Sequence, residues 1–157
     1  MWFFMYSCYI LSLLTWTLLV LGFFQGLFKF HVLAANHVTF MILISIFYAF
    51  TETLVIFFFV GTGVSIKEYT HAHKLSSEFQ KRSLAIKRKI YPPLLLNMLF
   101  MIILFIMVGA VDTNRVSLWI YLGLFVFCIL DYARIKIVQN TCFKDNTQLI
   151  LEMSGLK

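Results

Sequence analysis

GTGVSIKEYTHAHKLSSEFQKRSLAIKRKIYPP, residues 61–93, is the longest polar stretch in a chain otherwise made of apolar runs. Its reading decides how often the chain crosses a bilayer and in which sense. Seven basic residues fall within it: Lys67, Lys74, Lys81, Arg82, Lys87, Arg88 and Lys89. Lysine and arginine beside a span favour the cytoplasmic side. The glycines of GTG at 61–63 are of the kind that end a helix. SIKE at 65–68 has the form of a capping box, with Ser65 as N-cap and Glu68 three residues on. Ala72, Leu75, Phe79, Ile86 and Ile90 recur at helical spacing, and Glu78 and Arg82 stand four apart. Tyr91-Pro92-Pro93 closes the pattern, because proline disfavours helical geometry in the residue before it. The spacing therefore predicts one basic amphipathic helix over 66–90, with Lys81, Arg82, Lys87, Arg88 and Lys89 facing lipid headgroups.

Outward from this segment the chain loses its charge. No charged residue occurs from Met1 to Phe28, and Glu52 is the only one between Lys29 and Lys67. None occurs from Ile90 to Val111 or from Val116 to Leu130. The 157 residues are 61% hydrophobic and 13% charged, with a mean hydropathy of +0.89. A soluble domain seldom exceeds about half apolar residues. A bilayer core of about 30 Å needs about 20 helical residues. The expected fold is an all-α integral membrane protein, one domain over 1–157, with spans near 3–27, 38–61, 92–111 and 117–138 and a short tail, 140–157. The first run has no basic n-region and is too long for a signal peptide, so it reads as a retained span.

The expected threading puts the 64–91 segment and both termini in the cytoplasm, in an inner or plasma membrane. Lys136, Lys144 and Lys157 add to the inner-side positive charge. The net charge of +6 lies beside spans, so the expected partners are lipids and other membrane subunits, with no nucleic acid. Cys8, Cys128 and Cys142 fall toward the reducing side and form no metal spacing, so they read as free thiols.

Gly22 and Gly26 form a GxxxG pair in the first span, and Ser45 and Ala49 a small-xxx-small pair in the second. Counted from the first hairpin, the two patches lie at similar depth and are expected to pack together. Trp2 and Tyr91 on the inner side, with Trp119 and Tyr121 on the outer side, read as interface belts.

Glu52 has no basic residue three or four positions away, and a charge at its depth costs at least ~2.5–3.5 kcal/mol. One reading satisfies the carboxyl inside the bundle through Thr51, Thr53, Asn97 or a partner subunit. On that reading Glu52→Gln is nearly silent. The other makes it an ion- or proton-binding site. Asp131 and Arg134 read as a structural pair near the inner interface. His31, His37 and Asp112 surround the two hairpins and are the residues on which a metal or haem would fall, although no cofactor is expected. No GxSxG, HExxH, phosphate loop or dinucleotide fingerprint occurs. The expected function is a small non-catalytic subunit or assembly factor of a larger membrane complex, of the energy-converting or oxidase type. The alternatives are a proton-coupled transporter or channel using Glu52, and a haem- or quinone-binding membrane anchor.

Overall fold

The computed structural model describes residues 2–32 and 34–155, apart from the Trp2 side chain. The last two residues of the expected 140–157 tail lie outside the described residues. The described chain is helical: α1 (Trp2–Phe28), α2 (His37–Ala72), α3 (Glu78–Asp112) and α4 (Leu118–Met153). All four are long and apolar enough to cross a bilayer, which is consistent with an integral membrane protein. The neighbouring pairs are α1–α2, α2–α3, α3–α4 and α4–α1, so successive helices lie side by side and the ring closes. α1 has 27 residues, about 40 Å; α2, α3 and α4 have 35 or 36, about 53 Å. The last three therefore run on past the start of α1 as a three-helix extension.

The separate helix expected over 66–90 does not form. α2 passes straight through Gly61-Thr62-Gly63, and Ser65 is no N-cap: its hydroxyl donates back to the Gly61 carbonyl at 3.1 Å. Thr62 likewise donates to the Phe58 carbonyl at 2.8 Å. Gly63 serves packing. A Cβ there would collide with the Lys87 side chain of α3 and approach the Ser83 hydroxyl at 3.5 Å. Pro92 and Pro93 lie inside α3. Their missing N–H groups would otherwise bond the carbonyls of Arg88 and Lys89, which belong to exposed residues.

The chain turns instead at His73–Ser77. Lys74 adopts a left-handed φ of 51°. Its N–H bonds the His71 carbonyl at 3.4 Å, and the Leu75 N–H bonds that of Thr70 at 3.0 Å, the paired closure of a Schellman motif. Asn114, at φ 54°, ends α3 by the same device, with bonds from Asn114 to Val111 and from Arg115 to Ala110. The tail is not separate either, because α4 is unbroken through Asp145 and Gln148.

Two apolar cores fill the bundle. One, toward the α1–α2 and α3–α4 hairpins, holds Leu19, Phe40, Ile44, Leu104, Tyr121 and Phe125. The other, toward the extension, holds Cys8, Val55, Phe59, Ile90, Cys142 and Phe143. There Phe59 and Phe143 stack with ring centroids 5.1 Å apart. The glycine pair of α1 does face α2, but a Cβ on Gly22 would strike Ile44 and Met41, and one on Gly26 would meet the His37 ring. Ser45 bonds its own helix at the Ile42 carbonyl and Ala49 is exposed, so they are not the partners. Tyr121 is buried rather than part of a belt, whereas Trp119 is exposed.

The left-handed turn at Lys74 gives a prediction whose sign separates the two readings. Lys74→Gly should stabilise the bundle by up to about 1 kcal/mol, since glycine carries no Cβ penalty there. In a continuous helix over 66–90 the same change would destabilise by about 1 kcal/mol. Unfolding in mixed micelles measures it.

Candidate functional site

Between the two apolar cores lies a layer of buried polar side chains. Glu52 of α2 is 1% exposed and meets α4 across the bundle. Lys136 Nζ donates to Glu52 Oε1 at 2.5 Å, and Gln139 Nε2 donates to Glu52 Oε2 at 2.9 Å. Lys136 also donates to Gln139 Oε1 at 2.9 Å and sits over the Tyr132 ring, 4.4 Å from its centroid. The lysine thus has an anion, an amide oxygen and an aromatic face around it. Each carboxylate oxygen has its own donor.

Helical periodicity builds this arrangement. Tyr132, Lys136 and Gln139 stand four and three residues apart, so they share one face of α4. Glu52 lies 15 residues into α2 and Lys136 18 into α4, about 22 and 27 Å from their starts. The flexible lysine stem spans the small difference in level.

A second chain of bonds runs beside the first. Tyr48 donates its hydroxyl to Asn97 Oδ1 at 2.7 Å, and Asn97 Nδ2 donates to Asp131 Oδ2 at 3.0 Å. Arg134 reaches Asp131 at 3.6 Å while its own side chain stays 78% exposed. This links α2, α3 and α4. α1 joins through Thr15 and Thr51, whose hydroxyls are 2.8 Å apart, and through Tyr9, which donates to Asn140 Oδ1 at 2.7 Å. Burying such groups is tolerable only when they are paired, and nearly all the pairing here is internal.

The partners offered to Glu52 by sequence reasoning are engaged elsewhere. Asn97 serves Tyr48 and Asp131, Thr51 donates to the Phe47 carbonyl, and Thr53 is exposed. The sequence groups Lys136 with the tail charge, and so points to neither Lys136 nor Gln139 as the partner of Glu52. The level of Lys136 relative to Glu52, together with the Tyr132–Lys136–Gln139 stripe, is the available signal.

The other expected residues fall at the two ends of the bundle. His31, His37 and Asp112 line a single cavity at the hairpin end. His37 Nε2 is 2.9 Å from the Tyr121 hydroxyl. Among the described residues no three His, Cys, Asp or Glu side chains gather closely enough to hold a metal ion. Of the basic residues on α3, Lys81 and Arg88 are exposed and Lys87 is half-buried beside Gly63. Arg82 pairs with Glu152 at 2.6 Å rather than with Glu78, and Lys89 with Asp145 at 3.6 Å. Both pairs tie α3 to α4. Cys8, Cys128 and Cys142 are free and buried.

No protein family model matches the chain, and no curated protein or solved structure matches it either.

Removing one member of a buried ion pair leaves the other uncompensated, at about 3–5 kcal/mol, whereas removing both is close to neutral. Glu52→Leu or Lys136→Met alone should therefore destabilise strongly, and the double variant should recover most of the loss. Glu52→Gln should not be silent, because Lys136 then faces an amide. Micellar unfolding of the four-membered cycle measures the coupling; strictly additive losses would show that the two side chains do not meet.

Proposed function

We propose that this protein is a small non-catalytic subunit or assembly factor of a larger membrane protein complex. The observation that carries the reading is the saturation of Glu52. Both of its oxygens are taken by Lys136 and Gln139, so the one deep acid of α2 is used to fasten helices. The outside of the bundle supports the same reading. Phe3, Phe57, Ile106, Trp119 and Ile137 are each at least 64% exposed, which suits contact with acyl chains and neighbouring spans. The basic extension lies on the cytoplasmic side, with both termini, in an inner or plasma membrane. Lys81 and Arg88 meet lipid headgroups or a partner's acidic surface there. The partner complex is of the energy-converting or oxidase type.

A proton-coupled carrier is the second reading, favoured by the Tyr48–Asn97–Asp131 chain beside the ion pair. The double variant Glu52→Gln with Lys136→Gln separates the two. It removes both charges and keeps hydrogen-bonding capacity. For a structural subunit, the variant should assemble and leave the activity of its complex largely intact; for a carrier, it should assemble and lose pH-dependent flux in proteoliposomes.

The direct test is migration of the tagged protein on a native gel after extraction in mild detergent, followed by mass spectrometry. Co-migration with a defined set of membrane subunits is expected. Migration at the size of the free chain or its small homo-oligomer, from its native membrane, would remove the subunit reading. For the threading, single cysteines at Ser76 and Asn114 should react with an impermeant thiol reagent from inside and outside respectively. Labelling of Ser76→Cys from outside intact cells would reverse it.

A further inference from the structure

The hairpin end of the bundle contrasts with the Glu52 carboxylate at its middle, both of whose oxygens are engaged. A cavity of about 400 Å³ opens there, lined by Gln25, Lys29, His37 and Asp112 among apolar walls that include Val38 and Val108. Gln25 is fully buried. Its Nε2 donates to the Ala35 carbonyl at 2.9 Å, which fixes the amide, and its Oε1 is left without a hydrogen-bond partner among the described residues. His37 repeats the pattern: Nε2 is engaged by Tyr121, and the buried Nδ1 has no partner there. Gly26 leaves the room that the His37 ring occupies, since a Cβ would lie 3.1 Å from its Cε1. Gln25 and His37 thus line the cavity, and their two unsatisfied atoms lie beneath its surface, so that a guest bonding them must shift these side chains. Lys29 follows α1 in a left-handed conformation and Asp112 is the last residue of α3. Neither has an ion-pair partner among the described residues.

We propose that this cavity binds a small zwitterion carrying a primary ammonium group. Gln25 Oε1 accepts only, and the Asp112 carboxylate asks for a cation. A primary ammonium supplies N–H donors and a positive charge together. His37 Nδ1 becomes a third acceptor when Nε2 holds the ring proton and donates to Tyr121. The Lys29 ammonium provides the counter-charge for an anionic group on the same molecule. The volume falls in the range of small-molecule sites. The chemistry is shared by the headgroup of an ethanolamine phospholipid and by a free amino acid. A quaternary ammonium has no N–H and does not satisfy Gln25.

Thermal unfolding of the detergent-purified protein tests this with three probes: sn-glycero-3-phosphoethanolamine, its choline counterpart, and glycine. Nanodiscs of phosphatidylethanolamine or phosphatidylcholine, examined by native mass spectrometry, test the lipid form. A rise in unfolding midpoint of several degrees with the ethanolamine compound or glycine, and none with the choline compound, is expected for a free zwitterion. Selective retention of phosphatidylethanolamine alone assigns the site to a lipid headgroup; either result supports the proposal. Asp112→Asn, at an exposed position, should weaken binding at least ten-fold, and Lys29→Gln should do so for the same probe. Gln25→Leu should abolish it. Equal responses to the ethanolamine and choline forms, no response in either format, or full binding by Asp112→Asn would overturn the proposal.

Discussion

The bundle depends on one contact, the ion pair between Glu52 and Lys136. It joins α2 to α4, which are not neighbours in the ring of helices, so it crosses the interior rather than lining a seam. Apolar packing gives little preference among registers when the surrounding medium is as apolar as the side chains. A buried pair does give one. Sliding α4 by a turn, about 5.4 Å, would separate the charges and leave both desolvated. The pair therefore fixes the register of α4 against α2. Gln139 completes the geometry by taking the second carboxylate oxygen.

The rest of the polar layer extends the same constraint to each helix. Asn97 holds α3 between Tyr48 and Asp131, and Thr15 holds α1 against Thr51. Each apolar core on either side of the layer then packs onto helices already in register. The extension is set separately. Arg82 with Glu152 binds α3 to α4 beyond the start of α1, and Lys89 with Asp145 does so level with its first turns. These exposed pairs contribute little stability, about 0–1 kcal/mol each, so buried Ile66, Ile86 and Leu149 carry that end.

The sequence makes the four apolar helices legible because hydropathy over some 20 residues is a summed quantity, insensitive to any single position. The helix ends are less so. Gly61, Gly63, Pro92 and Pro93 are local stop signals, yet α2 and α3 run straight through them. Gly63 makes room for Lys87, a contact 24 positions away in the chain that no local pattern contains. The actual turn is made by lysine in a left-handed conformation, which propensity argues against. The site divides similarly. Glu52 stands out by its isolation in an apolar run. Lys136 does not, because beside Arg134 it looks like an interfacial charge; only comparing its level with that of Glu52 separates the two. Gly22 and Gly26 were readable as small residues, but their partners, Ile44 and the His37 ring, are large residues fitting into the space that glycine leaves.

Hydrogen-bonding capacity is spent unevenly along the bundle, and this bears on where function resides. The middle layer has two acids, a buried lysine and two amides, yet Glu52 and Lys136, the carboxylate and ammonium at its centre, neutralise each other. The hairpin end has only one more acid and one more lysine, but Gln25 and His37 keep unmatched atoms and Lys29 and Asp112 keep unmatched charges. Fully paired groups hold a structure in one state, because any movement costs a bond. Unpaired ones at a cavity are satisfied by something from outside. The physical division is thus between a centre that determines the fold and an end that retains the chemistry for recognition, with the two separated by the apolar core around Phe125 and Ile44.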